Sequence, residues 1–258
     1  MFGIILCYHI FFQLLWEKVI RKTCHKWELF MRFIIQLVAQ LFPYVIVCLT
    51  FVMFVIWNKG IVVGDKRAHV PTIHIPQLLY FSTFLFCFLW PYMIIYWKDY
   101  FKFFGKHWVF ASCVLLLLTV TVYFNTLVHP YMLADNRHYV FYFWNKLMGK
   151  YKQFKYLLIP VYSFTLYTMF HGFKHLRFAT QVNYILMISA VLIPQLLIEP
   201  RYFIVPYILY RLSIKKPKKW QIIAESATTL IVNFLQFYIF INKVFYWDDQ
   251  PYPQRISW

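Results

Sequence analysis

Charge is what this 258-residue chain has least of. Asp, Glu, Lys and Arg make up 14% of it, while 62% of the residues are hydrophobic and 23% aromatic. A soluble domain carries about 25% charged residues, so too few groups remain to wet a surface, and soluble fold classes are excluded. Glycine is also scarce: six scattered residues offer neither a phosphate-cradling loop nor a Gly/Ser linker. There is no low-complexity segment and no repeat period. The five cysteines (Cys7, Cys24, Cys48, Cys87, Cys113) lie in or near apolar runs without paired spacing. They read as core residues, neither a disulfide framework nor a metal site. No Asn-x-Ser/Thr acceptor is present, so glycosylation of the chain itself is not expected.

What the chain does have is apolar runs of membrane length. A spanning helix needs roughly 20 apolar residues. Phe33 to Trp57, Ile75 to Trp97, Trp108 to Val128 and Phe178 to Ile198 are uncharged throughout, and Ile222 to Ile241 holds one acid, Glu225. Three shorter runs accompany them: Phe2 to Trp16, Tyr156 to Phe170 (extendable through His171 and Gly172) and Tyr202 to Tyr210. The expected fold is therefore all-α, a polytopic membrane protein with about seven or eight transmembrane helices in one domain over residues 1–258. Phe2 to Trp16 lacks a basic leader and a small-residue cleavage site, which argues against a signal peptide. A helix starting at Met1 with no flank reads as an interrupted one, with sequence expected upstream.

A net charge of +17 suggests a nucleic-acid footprint, but all 26 Lys and Arg lie between the apolar runs. That is a topology pattern, and no nucleic-acid partner is expected. With eight crossings, the segments 17–32, 98–106, 171–181 and 211–219 share one side and hold 15 basic residues, against 11 on the other. The positive-inside tendency puts the first set in the cytoplasm. A re-entrant Tyr202 to Tyr210 would nearly erase the bias. The stretches Lys18 to Arg32 and Lys215-Lys216-Pro217-Lys218-Lys219 read chiefly as topology anchors beside membrane lipid headgroups.

Four polar groupings fall on the far side. They are Gly64-Asp65-Lys66-Arg67 with His69 and His74-Ile75-Pro76-Gln77; Asp135-Asn136-Arg137-His138-Tyr139; Glu199-Pro200-Arg201-Tyr202; and a tail with Asp248, Asp249, Gln254 and Arg255. Pro194 and Pro206 flank the third and suggest a broken helix pair around a charged turn. If the second grouping is helical, Asp135, His138, Tyr139 and Tyr142 share a face and Arg137 points away, unless a loop returns it. Its aromatics alone fit an interfacial belt. Asp, Asn, Arg and His in succession fit a site for something charged, His138 acting as a cation toward phosphate or as a hydrogen-bond donor. His69 and His74 stand five apart, no recognised two-ligand spacing, so a metal is not expected. The far-side loops hold no serine except Ser257, which removes Ser/His/Asp hydrolysis.

Together these groupings resemble one family, the dolichyl-phosphate-glucose-dependent α-1,2-glucosyltransferases of the endoplasmic reticulum, over their C-terminal half. The matching pieces are Gly64-Asp65 with His69, His74-x-Pro76-Gln77-Leu78, Leu133 to Tyr139, and Arg201-Tyr202-Phe203-Ile204-x-Pro206-Tyr207. Asn233-Phe234, Phe240-x-Asn242-Lys243, Trp247, Gln254-Arg255 and Trp258 complete them. The resemblance runs from about residue 55 to the end.

It implies a glycosyltransferase-C fold in the endoplasmic reticulum membrane, working on the lumenal face. The family moves the third, terminal glucose from dolichyl phosphate glucose onto the dolichyl-pyrophosphate-linked oligosaccharide that precedes protein N-glycosylation. It implies no cofactor and no metal, because the phosphate ester already leaves well. Substrate-binding residues would be Asp65, His69, His74, Asp135, Asn136, Arg137, His138, Tyr139 and Arg201. Arg137, His138 and Arg201 are the first expected donors to the leaving phosphate, followed by Lys66, Arg67 and His74. The fold carries its catalytic acid in a first lumenal loop that has no counterpart here. The base is therefore expected upstream, and the chain alone is expected to be inactive.

Two other classes compete. A non-catalytic regulator derived from the enzyme fold would have this composition. A channel or transporter accessory protein should bury carboxylates at mid-membrane. Glu225, the only acid inside a run, lies near a helix start, which disfavours the latter.

Overall fold

The computed structural model describes residues 27–61, 66, 70–248 and 250–256. Asp65, Arg67, His69, Asp249 and the run Phe2 to Trp16 lie outside the described residues. The chain divides into two compact units, Met1–Val70 and Pro71–Trp258.

In the first unit, α1 (Trp27–Asn58) is one continuous helix, with Pro43 inside it. Its stretch Ile34–Asn58 is apolar enough to cross a membrane, and most of its side chains are exposed. Such an all-round apolar surface is at home against lipid.

The second unit is built around α2 (Pro76–Met93), which passes through a short 3-10 turn, Ile94–Tyr96, into α3 (Trp97–Lys106). Pro76 at the first helical position suits the helix start, because its missing N–H would have no partner there. Pro91 removes an interior hydrogen bond, and the backbone departs from helical geometry at Leu89. The helices α4 (Trp108–Asn125), α8 (Ile159–Gly172), α9 (Phe178–Leu192), α10 (Pro200–Ser213) and α11 (Lys219–Asn242) all pack against α2.

These contacts combine rings with a few polar ties. Phe84 stands 5.4 Å from Phe203 and 6.0 Å from Tyr207, joining α2 to α10. The hydroxyls of Ser82 and Thr165 meet at 2.9 Å between α2 and α8. Such bonds between helices average about 0.6 kcal/mol in a bilayer, so shape complementarity carries most of the packing. Gly172 shows this: a Cβ there would stand 2.2 Å from the Tyr210 hydroxyl, which donates to the Met169 carbonyl.

By length and composition, four helical stretches among the described residues can cross a membrane: Ile34–Asn58, Pro76–Lys106, Trp108–Asn125 and Lys219–Asn242. That is the coarse fold expected from sequence, a nearly all-α membrane protein, with fewer full-length spans than the runs suggest. The run Phe178 to Ile198 becomes a 15-residue helix that stops at Leu192, about 22 Å at 1.5 Å per residue. Pro194 supplies the reason, since it has no N–H to continue the ladder. The run Tyr202 to Tyr210 lies in α10, 14 residues long.

Between α4 and α8 lie three short helices, α5 (Pro130–Ala134), α6 (Tyr139–Phe143) and α7 (Phe154–Leu157), with a π turn at Trp144–Met148. Met132, Trp144 and Met148 form a small core beneath them, against which Leu197 and Ile198 pack. After α11 the tail pairs β1 (Val244–Phe245) with β2 (Gln254–Arg255), antiparallel.

Candidate functional site

The segment 129–139 is not one helix. His129 caps α5, its Nδ1 accepting from the Tyr131 N–H at 3.0 Å, with Pro130 following at the first helical position. The helix ends at Asp135, and the chain turns there because the Asp135 carboxylate accepts the backbone N–H of Arg137 at 3.0 Å. This is an Asx turn, available to Asp because its short side chain mimics a backbone carbonyl. The turn returns Arg137 onto the same carboxylate. Its Nε donates to Oδ1 at 2.9 Å and its Nη2 to Oδ2 at 2.7 Å, a two-pronged charge-assisted pair. His138 Nε2 lies 3.3 Å from Oδ2.

The carboxylate thus faces three donor groups of Arg137, one backbone and two side-chain, plus the imidazole of His138. Hydrogen bonding from the Arg137 guanidinium holds the Asp135 carboxyl below the usual carboxylate range and holds Arg137 firmly protonated. An acid in that condition is an acceptor and an orienting group, and a poor proton base. Outside the pair, the Arg137 side chain is 44% exposed and that of His138 31%.

The tail supplies the rest. Arg255 Nη1 donates to the carbonyls of Phe240 and Ile241, both at 2.8 Å, which occupies two C-terminal carbonyls of α11. That anchor and the strand pair hold Trp247, whose indole N–H donates to Asn136 Oδ1 at 2.9 Å. The Arg137 guanidinium stacks over the same indole, 4.9 Å from its centre. Asp135, Asn136, Arg137, His138 and Trp247 therefore form one constellation of mutually fixed polar groups with a rigid aromatic plate.

The other expected site residues are placed differently. Tyr139 opens α6 with a buried hydroxyl that has no protein partner, and burial raises its pKa. Arg201 pairs with Glu199 at the start of α10, its Nε donating at 2.8 Å. Lys66 donates to the backbone carbonyl of Asn58. His74 is fully buried, its ring nitrogens without a hydrogen bond of ordinary geometry, beside the backbone of Gln195 and Leu196. Burial pushes that imidazole down, favouring the neutral form. Among the described residues, no three His, Cys, Asp or Glu converge as metal ligands.

Sequence reasoning missed the contribution of Trp247 to this site. An aromatic in a far-side tail is a weak signal, and nothing local announces a partner 111 residues away. It also missed Asn125, and it named Gln77 in a polar grouping without its role; both are polar residues at the ends of apolar runs that hold backbone rather than each other.

Comparison with known proteins gives a consistent picture. Residues 11–212 match the model of the DIE2/ALG10 family. A Drosophila melanogaster protein named Dol-P-Glc:Glc(2)Man(9)GlcNAc(2)-PP-Dol alpha-1,2-glucosyltransferase is 38% identical over 248 residues, covering 95% of this chain and 54% of that protein. Homo sapiens and Arabidopsis thaliana proteins of the same name are 37% and 32% identical, over 84% and 90% of this chain and 46% of each relative. The chain thus spans about half the length of these curated relatives. No solved structure matches.

Proposed function

The chain belongs to the DIE2/ALG10 family, and from that premise we propose that it serves as part of a glucosyltransferase of the endoplasmic reticulum membrane. The reaction adds the terminal, third glucose in α-1,2 linkage to a dolichyl-pyrophosphate-linked oligosaccharide, with dolichyl phosphate glucose as donor. The observation that carries this is the 38% identity to the fly relative across 95% of the chain. We read residues 1–258 as one glycosyltransferase-C type membrane domain of seven or eight crossings, the site on the lumenal side.

The chemistry assigned is an inverting displacement. The acceptor hydroxyl oxygen attacks the anomeric carbon, the bond from that carbon to the phosphate oxygen breaks, and dolichyl phosphate leaves with the electron pair. The hydroxyl proton passes to a carboxylate base, to which we assign no residue. Asp135 is not that base, because Arg137 holds it ionised and engaged.

In this reading the site's work is electrostatic. Charge gathers on the leaving phosphate, and fixed donors that need no reorganisation stabilise it. Arg137 and His138 are the candidate groups of this kind in the constellation, and Arg201 is the further candidate, with Lys66 and Arg67 after it. Asn136 and Trp247 suit a sugar: an amide for hydroxyls, an indole face for the C–H side of the ring. Asp65, His69, His74 and Tyr139 remain proposed binding residues.

The test is complementation in cells lacking the terminal glucosyltransferase. The chain is expressed as it stands, and also joined to the portion of the fly relative that it does not cover. Fully glucosylated lipid-linked oligosaccharide should return with the joined form. If neither form restores it while both insert in the membrane, the glucosyltransferase reading fails and the non-catalytic regulator takes its place.

A further inference from the structure

Where α9 stops at Leu192, the segment 193–199 carries carbonyls that no helix satisfies. At a membrane edge such groups need protein donors. A short strap, residues 72–77, provides them. The Thr72 N–H donates to the Pro194 carbonyl at 3.2 Å and the His74 N–H to the Ile193 carbonyl at 2.9 Å. The Gln77 side-chain amide then spends both of its hydrogens, on the carbonyls of Gln195 at 2.9 Å and Leu197 at 3.0 Å. Gln77 is fully buried. Few side chains can do this, because two carbonyls two residues apart require two N–H donors on one neutral atom.

The strap is held on its other side by Asn125, the last residue of α4. Its Oδ1 accepts from the Ile75 N–H at 2.7 Å, and its Nδ2 donates to the Ile73 carbonyl at 2.9 Å. Asn125 leads into the segment carrying Asp135 to His138, and the segment held by Gln77 leads into Glu199 and Arg201. Leu197 and Ile198 also pack on the Met132–Trp144–Met148 core beneath the first turn. One strap therefore sets the register of both charged turns.

We propose that Gln77, with Asn125, is a positioning residue for glucosyl transfer: it fixes the 193–199 segment so that the Arg201 turn and the Asp135–His138 turn face one donor phosphate. This rests on the glucosyltransferase reading for its catalytic half, while the clamp itself stands on geometry alone. A purely structural residue would change the amount of inserted protein and leave the kinetics of what remains unchanged. A positioning residue changes kcat/KM at constant amount, because misplacement of about 1 Å can cost roughly a hundredfold.

The experiment uses the joined form described above, with its native cysteines replaced, in opened microsomes. Ile198→Cys reports on the segment through its rate of maleimide labelling, with and without Gln77→Met, which keeps volume and removes both donors. The expected result is labelling faster by roughly fivefold or more and kcat/KM for dolichyl phosphate glucose lower by roughly tenfold. Asn125→Leu should act in the same direction, and inserted protein should be unchanged. Should Gln77→Met not accumulate, Gln77→Asn, which keeps the donors on a shorter arm, carries the same two readouts. Unchanged labelling overturns the clamp, and faster labelling with unchanged kcat/KM overturns the positioning role. A parent that labels normally but transfers nothing overturns the glucosyltransferase reading instead, so the two failures are told apart.

Discussion

Two of the arginine–carboxylate pairs in the second unit are built in opposite ways. Asp135 and Arg137 are two residues apart on one turn, and the cationic side of that pair faces outward. Arg211 and Glu225 join α10 to α11, Nε to Oε1 at 2.7 Å. Glu225 also accepts from the Tyr92 hydroxyl of α2 at 2.7 Å, and Arg211 Nη2 donates to that same hydroxyl at 3.1 Å. Three helices meet in a closed set whose members satisfy one another. Gln77 and Tyr92 lie 15 residues apart along α2, roughly 22 Å, so the Gln77 clamp and the Arg211–Glu225 strut occupy opposite ends of the central helix. The difference teaches how to tell a strut from a site. Polar groups from several helices that exhaust their bonds on each other brace the fold, whereas a locally self-positioned group with outward donors can take a ligand.

The sharpest way to break that distinction is at the strut. Glu225→Leu leaves Arg211 part-buried without its partner and should cost about 3 kcal/mol of stability, read as unfolding by denaturing detergent in mixed micelles. Replacing both residues by leucine should recover most of the loss, because an apolar pair of similar volume avoids the desolvation of two charges. A single variant that unfolds with the parent would show that the contact is idle. At the site the effects should invert. In the joined form, on the proposed glucosyltransferase reading, Arg137→Ala should lower glucosyl transfer by about a hundredfold while changing stability by no more than about 1 kcal/mol, as for other exposed pairs. Comparable stability losses at both arginines would erase the contrast. Trp247→Ala removes both the bond to Asn136 and the plate under Arg137, with an expected fall of about tenfold in transfer. Trp247→Phe, which keeps the plate and loses the N–H, should fall between. Equal activity of all three proteins would detach the tail from the site.

Much of this was legible in the sequence and some was not, for reasons that separate by range. Composition marked a membrane protein, and the apolar runs matched α1, α2, α4 and α11 closely, because helical length and hydrocarbon thickness are local constraints. Phe178 to Ile198 read as a full span only because residue counting ignores what Pro194 does to the ladder. The Asp135 to Tyr139 grouping read as a helical face only if it is helical, with a loop that returns Arg137 as the alternative; Asp135 turns the chain, and the loop alternative is the one observed. The contribution of Trp247 was beyond reach, since the geometry that delivers it depends on Arg255 and a strand pair far along the chain. Gln77 makes contacts 118 and 120 residues away, and a lone Gln at a helix start carries no such information.

The smallest expected effect concerns pH, and it sharpens the comparison by adding a third kind of polar residue, one buried without a charge partner. His74 is fully buried, and burial depresses its pKa below the ordinary imidazole value of about 6.5. The unfolded chain therefore binds a proton in a range where the folded chain does not, and stability falls as pH drops through the unfolded value. For a group that stays neutral when folded the loss between pH 7 and pH 6 is about 0.7 kcal/mol, which is the upper limit of the effect. His74→Phe should remove that part of the pH slope while leaving the bond from its backbone N–H to Ile193 in place. The Asp135 pair cannot imitate this signal: its carboxyl titrates below the usual carboxylate range, so its contribution is intact above about pH 4 and is lost only as pH falls further. Detergent unfolding of the parent and His74→Phe at the two pH values decides the matter, and equal slopes would mean that His74 reaches water or a charge in the folded protein.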